Sequence, residues 1–209
     1  MSDQTVKVGK CHSLFINENV KVIKNFRVFV NKFFEQENKI HELWEVLLNA
    51  GSDDTLELRI SSPGGMVTEC QMFVNIMRNK FNGRTVTYID SHASSAGAFT
   101  FCVGDKRVIY ENSRIMLHNY SGGYVGGFKK MKDRLDFDEK HVIGFLKSTL
   151  KLGKNGFLTN KEFKQMVDGK EFWFRAEEMC KRGIATHVVV DGTEFTSKQY
   201  LKKCSKTKH

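Results

Sequence analysis

The chain has 209 residues, 40% hydrophobic and 27% charged, which is enough for one sizeable core and too few for two, so a single domain over 1–209 is expected. That balance excludes disorder throughout; no apolar run nears the roughly 20 residues of a bilayer-crossing helix, and MSDQTVKVGKCHSLF lacks a secretory hydrophobic block, so a soluble, cytoplasmic protein with no membrane partner is expected. An excess of 33 Lys and Arg over 24 Asp and Glu gives a net charge of +9 and brings acidic partners into consideration, nucleic acid among them.

Residues 1–20 form a short N-terminal segment with little pattern. Apolar residues at helical spacing, among them Phe33, Phe34, Ile40, Leu43, Trp44, Leu47 and Leu48, predict a long helix from Asn25 to Asn49, ending before Gly51. TLELRI (55–60) alternates as a strand does. SSPGG follows, then MVTECQMFVNIMRNK, with Met66, Cys70, Phe73, Val74 and Met77 on one helical face. The order then repeats: TVTYI (85–89), the turn DSHASS, and the small, apolar run AGAFTFCVG. Two successive strand-turn-helix units predict an α/β fold with parallel strands, whose turns at the carboxyl ends share the edge where ligands bind.

RVIY (107–110) and RIMLH (114–118) read as short strands, the second running into NYSGGYVGGFKK. Apolar positions from Phe128 to Leu150 predict a long amphipathic helix, TNKEFKQMV (159–167) a shorter one, FWFRAEEMCKRG (172–183) a helix closed by Gly183, and ATHVVV (185–190) a last strand. The residues after 197 carry Lys198, Lys202, Lys203, Lys206 and Lys208 and read as a solvated basic tail. They lack the aromatic platform of a nucleic-acid site, so no nucleic-acid partner is expected. The five cysteines are scattered without a C-x-x-C pair and read as reduced thiols; neither metal nor cofactor is expected.

Acyl transfer needs a nucleophile, a base, a group that orients the base, and N–H donors for the oxyanion. Ser95 sits at a strand-to-helix turn among Ala93, Ala96, Gly97 and Ala98, which leaves its hydroxyl open; the same stretch also suits a plain helix cap. In SSPGG, Pro63 stiffens the turn while Gly64 and Gly65 can aim a backbone N–H into a cleft. His118 ends a strand before a glycine-rich loop. His92 is only three residues from Ser95 and lies off the reacting line.

ISSPGGMVTE, SHASSAGAFTFCVG and ENSRIMLH, in this order and spacing, resemble the proteolytic subunit of the Clp protease, a serine peptidase, and WFRAEEMCKRGIATHVV resembles a later helix and strand of that family. The resemblance covers residues 55–190 and implies a ClpP/crotonase-like fold of repeated strand-turn-helix units with a protruding long helix at 128–150. It implies Ser95 as nucleophile beside a small neighbour, Ser94; His118 as general base; the backbone N–H groups of Gly65 and Ala96 as oxyanion donors; and Gly122, Gly123, Tyr124 and Val125 as the segment that binds substrate as an added strand. The family's acid is an aspartate, and the matching position holds Glu171, with Asp168 as the alternative. The implied partners are unfolded polypeptide substrates, further copies in a heptameric ring or two stacked rings, and an AAA+ ATPase unfoldase. The shortened N-terminal region departs from the family where such an ATPase would dock. The alternatives are an inactive ring subunit of the same family or a phage-type maturation protease. A signal-peptide peptidase would carry a membrane anchor, and a crotonase-type enolate site has no need of the Ser-His pair.

Overall fold

The computed structural model describes residues 23–31, 39–123 and 125–207. The N-terminal segment 1–20, Cys11, Phe33, Phe34 and Tyr124 lie outside the described residues. The first described element is strand β1 (Asn25–Val30), where a continuous helix from Asn25 was expected; helix α1 is described over Lys39–Leu48. NFRVFV alternates and is rich in aromatic and β-branched side chains, and it pairs in parallel with β2 (Thr55–Ser62), so sheet pairing overrides the helical reading.

Helix α2 (Val67–Lys80) buries Cys70, Phe73, Val74, Ile76 and Met77, whereas Met66, expected on that face, is its exposed N-cap. Strand β3 (Thr85–Ser94) runs five residues beyond TVTYI and consumes most of the expected turn. It leads into α3 (Ala96–Val103), whose residues 96–102 are all buried, as befits a helix apolar all round. Then come β4 (Lys106–Tyr110), β5 (Arg114–Leu117) and α4 (Phe128–Thr149). Helix α4 spans 22 residues and buries only Val142, Leu146 and Thr149, so its N-terminal part stands away from the body with Phe128, Leu135 and Phe137 exposed.

After α5 (Asn160–Val167), the segment read as one helix from 172 to 183 divides into strand β6 (Phe172–Arg175) and helix α6 (Ala176–Lys181). Phe172 and Phe174 point inward while Trp173 and Arg175 point out, the period of two that a strand requires. Gly183, at φ 67°, follows the helix end as expected. Strand β7 (His187–Val190) is followed by β8 (Thr193–Thr196) and α7 (Ser197–Thr207), where a frayed tail was expected; Tyr200 is buried and fixes that helix to the body.

The eight strands among the described residues join one sheet, ordered β1-β2-β3-β4-β7-β8, with β5 bridging β3 and β6. The pairs are parallel except β5–β6 and β7–β8. Strand β3 forks: Val86–Ile89 pair with β4, and His92–Ser94 pair with β5. Buried Ser113 pins the fork, its hydroxyl donating to the Ile89 carbonyl at 2.8 Å and accepting from the Tyr110 N–H at 2.9 Å. Buried Arg107 donates to the carbonyls of Gly104, Ile184 and Gly183 at 2.7, 2.7 and 3.1 Å, tying the end of α3 to the turn after α6. Among the described residues no helix is long and apolar enough to cross a membrane.

Candidate active site

Ser95 is the N-cap of α3 with φ 53° and ψ −126°, and only one other described non-glycine residue, Asp191, has a positive φ. Such a backbone costs of order 1–3 kcal/mol and persists only where its surroundings impose it. Here they do. The Ser95 N–H donates to the Met116 carbonyl at 3.0 Å, and the Ser95 carbonyl accepts from Phe99 at 3.1 Å. The serine-proline-glycine-glycine turn presses on it from the other side: a Cβ on Gly64 would lie 2.6 Å from Ser95 Cβ and 3.2 Å from its hydroxyl. The two turns meet, and they can do so only because Gly64, at φ 115°, has no side chain. Ser94 is buried in the sheet opposite Met116, while Ser95 is half-buried and lines a cleft.

Sheet register places the remaining groups. In the parallel β3–β5 pair, Ser94 lies opposite Met116, so Ser95 falls opposite Leu117 with His118 one residue on. In the antiparallel β5–β6 pair the last partners are Leu117 and Phe172, and His118 and Glu171 are the next residues beyond them, near enough for the Glu171 charge to act on the imidazole. Three neighbouring strand ends thus present Ser95, His118 and Glu171 in a row. Asp168 is the C-cap of α5, three residues before Glu171. Partial burial lowers the pKa of His118, and the Glu171 carboxylate pulls it back up. Among the described residues no hydrogen bond joins Ser95, His118 and Glu171; Glu171 Oε2 instead accepts from Trp173 Nε1 at 3.0 Å.

Ser95 and His118 share the cleft with Val67, Cys70, Phe99, Phe145 and Leu146, an apolar lining drawn from α2, α3 and α4. The enclosed space is about 10 Å³, room for about one water. The Cys70 thiol is satisfied by the Ala96 carbonyl and Thr100 hydroxyl, each at 3.4 Å, and burial pushes its pKa up to about 11, so it acts as lining and not as a nucleophile. The N–H of Ala96 is the first of α3 and has no partner within the helix; Gly65 stands in the turn beside Gly64. Gly122, Gly123 and Val125 are exposed beyond His118.

Two contributors went unread in the sequence. Asn119 accepts from the Tyr120 N–H and donates to the Val167 carbonyl, each at 2.9 Å, anchoring the segment after His118 to the end of α5. Trp173 holds Glu171, and the E-x-W spacing was the available signal for it.

The family model described as Clp protease matches residues 18–192. The chain belongs to the Clp protease family. This Clp-family chain is 28% identical over 163 residues, 72% of its length, to 73% of a Pseudomonas aeruginosa protein named ATP-dependent Clp protease proteolytic subunit 2. It is 31% identical over 152 residues, 68% of its length, to 78% of a Tropheryma whipplei protein of the same name. It is also 32% identical over 133 residues, 61% of its length, to 38% of a Buchnera aphidicola protein named Probable protease SohB. The chain is thereby placed among Clp-type peptidases, with the expected α/β architecture.

Proposed function

We propose that this Clp-family chain is a serine endopeptidase that cleaves unfolded polypeptides through an acyl-enzyme. Ser95 Oγ attacks the scissile carbonyl carbon as its proton passes to the facing ring nitrogen of His118. The tetrahedral oxyanion takes hydrogen bonds from the N–H groups of Gly65 and Ala96, each such donor being worth about 10²–10³ in rate. His118 then returns the proton to the leaving amine, and water enters by the reverse route to free Ser95. Glu171 holds the far ring nitrogen and stabilises the imidazolium. The segment around 122–125 binds the substrate as an extended strand, largely through main-chain hydrogen bonds. The assembly in this reading is a closed ring of copies, heptameric and stacked in pairs, served in the cytoplasm by an ATPase unfoldase.

The observation that carries the reading is the register that sets Ser95, His118 and Glu171 on consecutive strand ends, with Ser95 held in a backbone strained by contact with Gly64. Absent hydrogen bonds among the three favour a second reading, an inactive ring subunit, although such bonds often tighten only when substrate binds. A fluorophosphonate probe with peptide mapping separates them. Labelling at Ser95, lost in Ser95→Ala together with hydrolysis of an unstructured peptide and kept in Ser94→Ala, is expected. An assembled wild-type chain that neither labels nor hydrolyses would be the inactive subunit.

A further inference from the structure

Glutamate at the acid position brings a difficulty of its own. Its side chain has one more rotatable bond than aspartate, Glu171 is exposed, and freezing a solvated side chain costs conformational entropy. The hydrogen bond from Trp173 answers this difficulty. Glu171 immediately precedes β6 and Trp173 is its second residue, and both are exposed, so their side chains lie over the same surface. The indole N–H donates to Oε2 at 3.0 Å, a local charge-assisted bond that can form whether or not substrate is present. One carboxylate oxygen is thereby tied down, while the carboxylate as a whole is near enough to His118 to act on its imidazole electrostatically. Trp173 is itself 52% exposed, a large apolar side chain at the surface beside the site, and the N–H to Glu171 is the polar contact it makes there.

We infer that Trp173 is a positioning residue for the candidate triad: its indole N–H anchors one oxygen of Glu171 so that the other faces His118. This rests on the proposed peptidase reading, with Glu171 as its acid.

The test is Trp173→Phe, which keeps a ring on the strand and removes the donor. Two readouts are needed. The first is kcat and KM on an unstructured fluorogenic peptide. The second is the imidazole pKa of His118, measured in the assembled protein as the pH dependence of diethyl pyrocarbonate modification mapped by mass spectrometry; it needs no activity. A loosened carboxylate stabilises the imidazolium less. Trp173→Phe is therefore expected to lower kcat about three- to tenfold with KM little changed, and to move the His118 pKa further down and the acid limb of kcat/KM with it. Trp173→Tyr, whose hydroxyl can still donate, recovers part of both effects. In a Glu171→Gln background, adding Trp173→Phe should change the His118 pKa no further.

An unchanged His118 pKa in Trp173→Phe overturns the inference, even if stability falls. A faster variant with a higher His118 pKa overturns it in the opposite sense, since the indole would then be competing with the imidazole for Glu171. If instead Glu171→Gln leaves rate and His118 pKa at wild-type values, the acid assignment fails, and the role of Trp173 fails with it.

Discussion

Replacing Gly64 by alanine tests the contact on which the nucleophile turn depends. At φ 115° an L side chain strains the backbone by about 1–3 kcal/mol. The new Cβ would also stand 2.6 Å from Ser95 Cβ, whereas carbon atoms in contact sit about 3.5–4.0 Å apart, so something must yield by about 1 Å. Overpacking of that kind costs about 1–3 kcal/mol, bringing the whole to about 2–6 kcal/mol. Ser95 is the neighbour displaced, and a shift of about 1 Å in a reacting group costs about 10²-fold in rate. Gly83 supplies the control: its φ is 76°, and an added Cβ meets nothing within 4 Å, so Gly83→Ala should show backbone strain of about 1–2 kcal/mol and full activity. Urea melts of both variants, with fluorophosphonate labelling rates at Ser95, give the comparison. If Gly64→Ala lost no more stability than Gly83→Ala and labelled at the wild-type rate, the two turns would not be in contact and the argument for a built nucleophile would fail.

Two further outcomes are expected. Glu171→Gln should lower kcat about 10²-fold or more with assembly intact, while Asp168→Asn stays within about twofold; peptide hydrolysis by purified protein decides, and the reverse ranking would move the acid to Asp168. The second concerns acid stability. Hydrogen bonding to the Arg182 guanidinium holds the Glu162 carboxyl down at about 2, against an ordinary 4.5, with the Thr159 cap adding to it. A carboxyl depressed in the folded state contributes stability that is complete above its unfolded value, here about pH 4.5, and is lost as pH falls toward 2. Glu162→Gln should therefore be less stable than wild type at pH 7 and lose less between pH 4.5 and 2 in urea melts. Parallel profiles would refute the pairing.

The legible parts of the fold are those where local pattern and tertiary role agree. TLELRI and TVTYI alternate and become central strands; α2, α4 and α5 follow apolar stripes at helical spacing. The misread parts are those where a short strand abuts another element. NFRVFV reads as helix because the apolar residues after it run on at helical spacing, yet pairing with β2 decides its state. FWFR reads as part of the helix that follows it, although Phe172 and Phe174 obey a period of two. At the C-terminus, lysine content hid a helix held by the single buried ring of Tyr200. For the site, the motifs name Ser95, His118 and the glycine turn. They are silent on the positive φ of Ser95, which packing against Gly64 and the bond to Met116 impose, and on Trp173, whose meaning depends on where Glu171 points.

Register bears directly on the proposed role of Glu171 as the triad acid. Neither Ser95 nor His118 nor Glu171 is placed by its own loop; each is the next residue beyond a paired strand segment, so its position is set by the ladder behind it. That ladder is well determined. A one-residue slip of β6 against β5 would turn buried Phe172 and Phe174 to solvent and bring Trp173 and Arg175 into the core, which hydrophobic burial forbids. The fork in β3 is fixed in the same way, because Ser113 satisfies both the Ile89 carbonyl left by β4 and the Tyr110 N–H that starts the turn into β5. In the proposed triad glutamate adds one link between that backbone position and the imidazole, and the Trp173 indole two residues away, bonded to Oε2 at 3.0 Å, is the group that restrains it under that proposal.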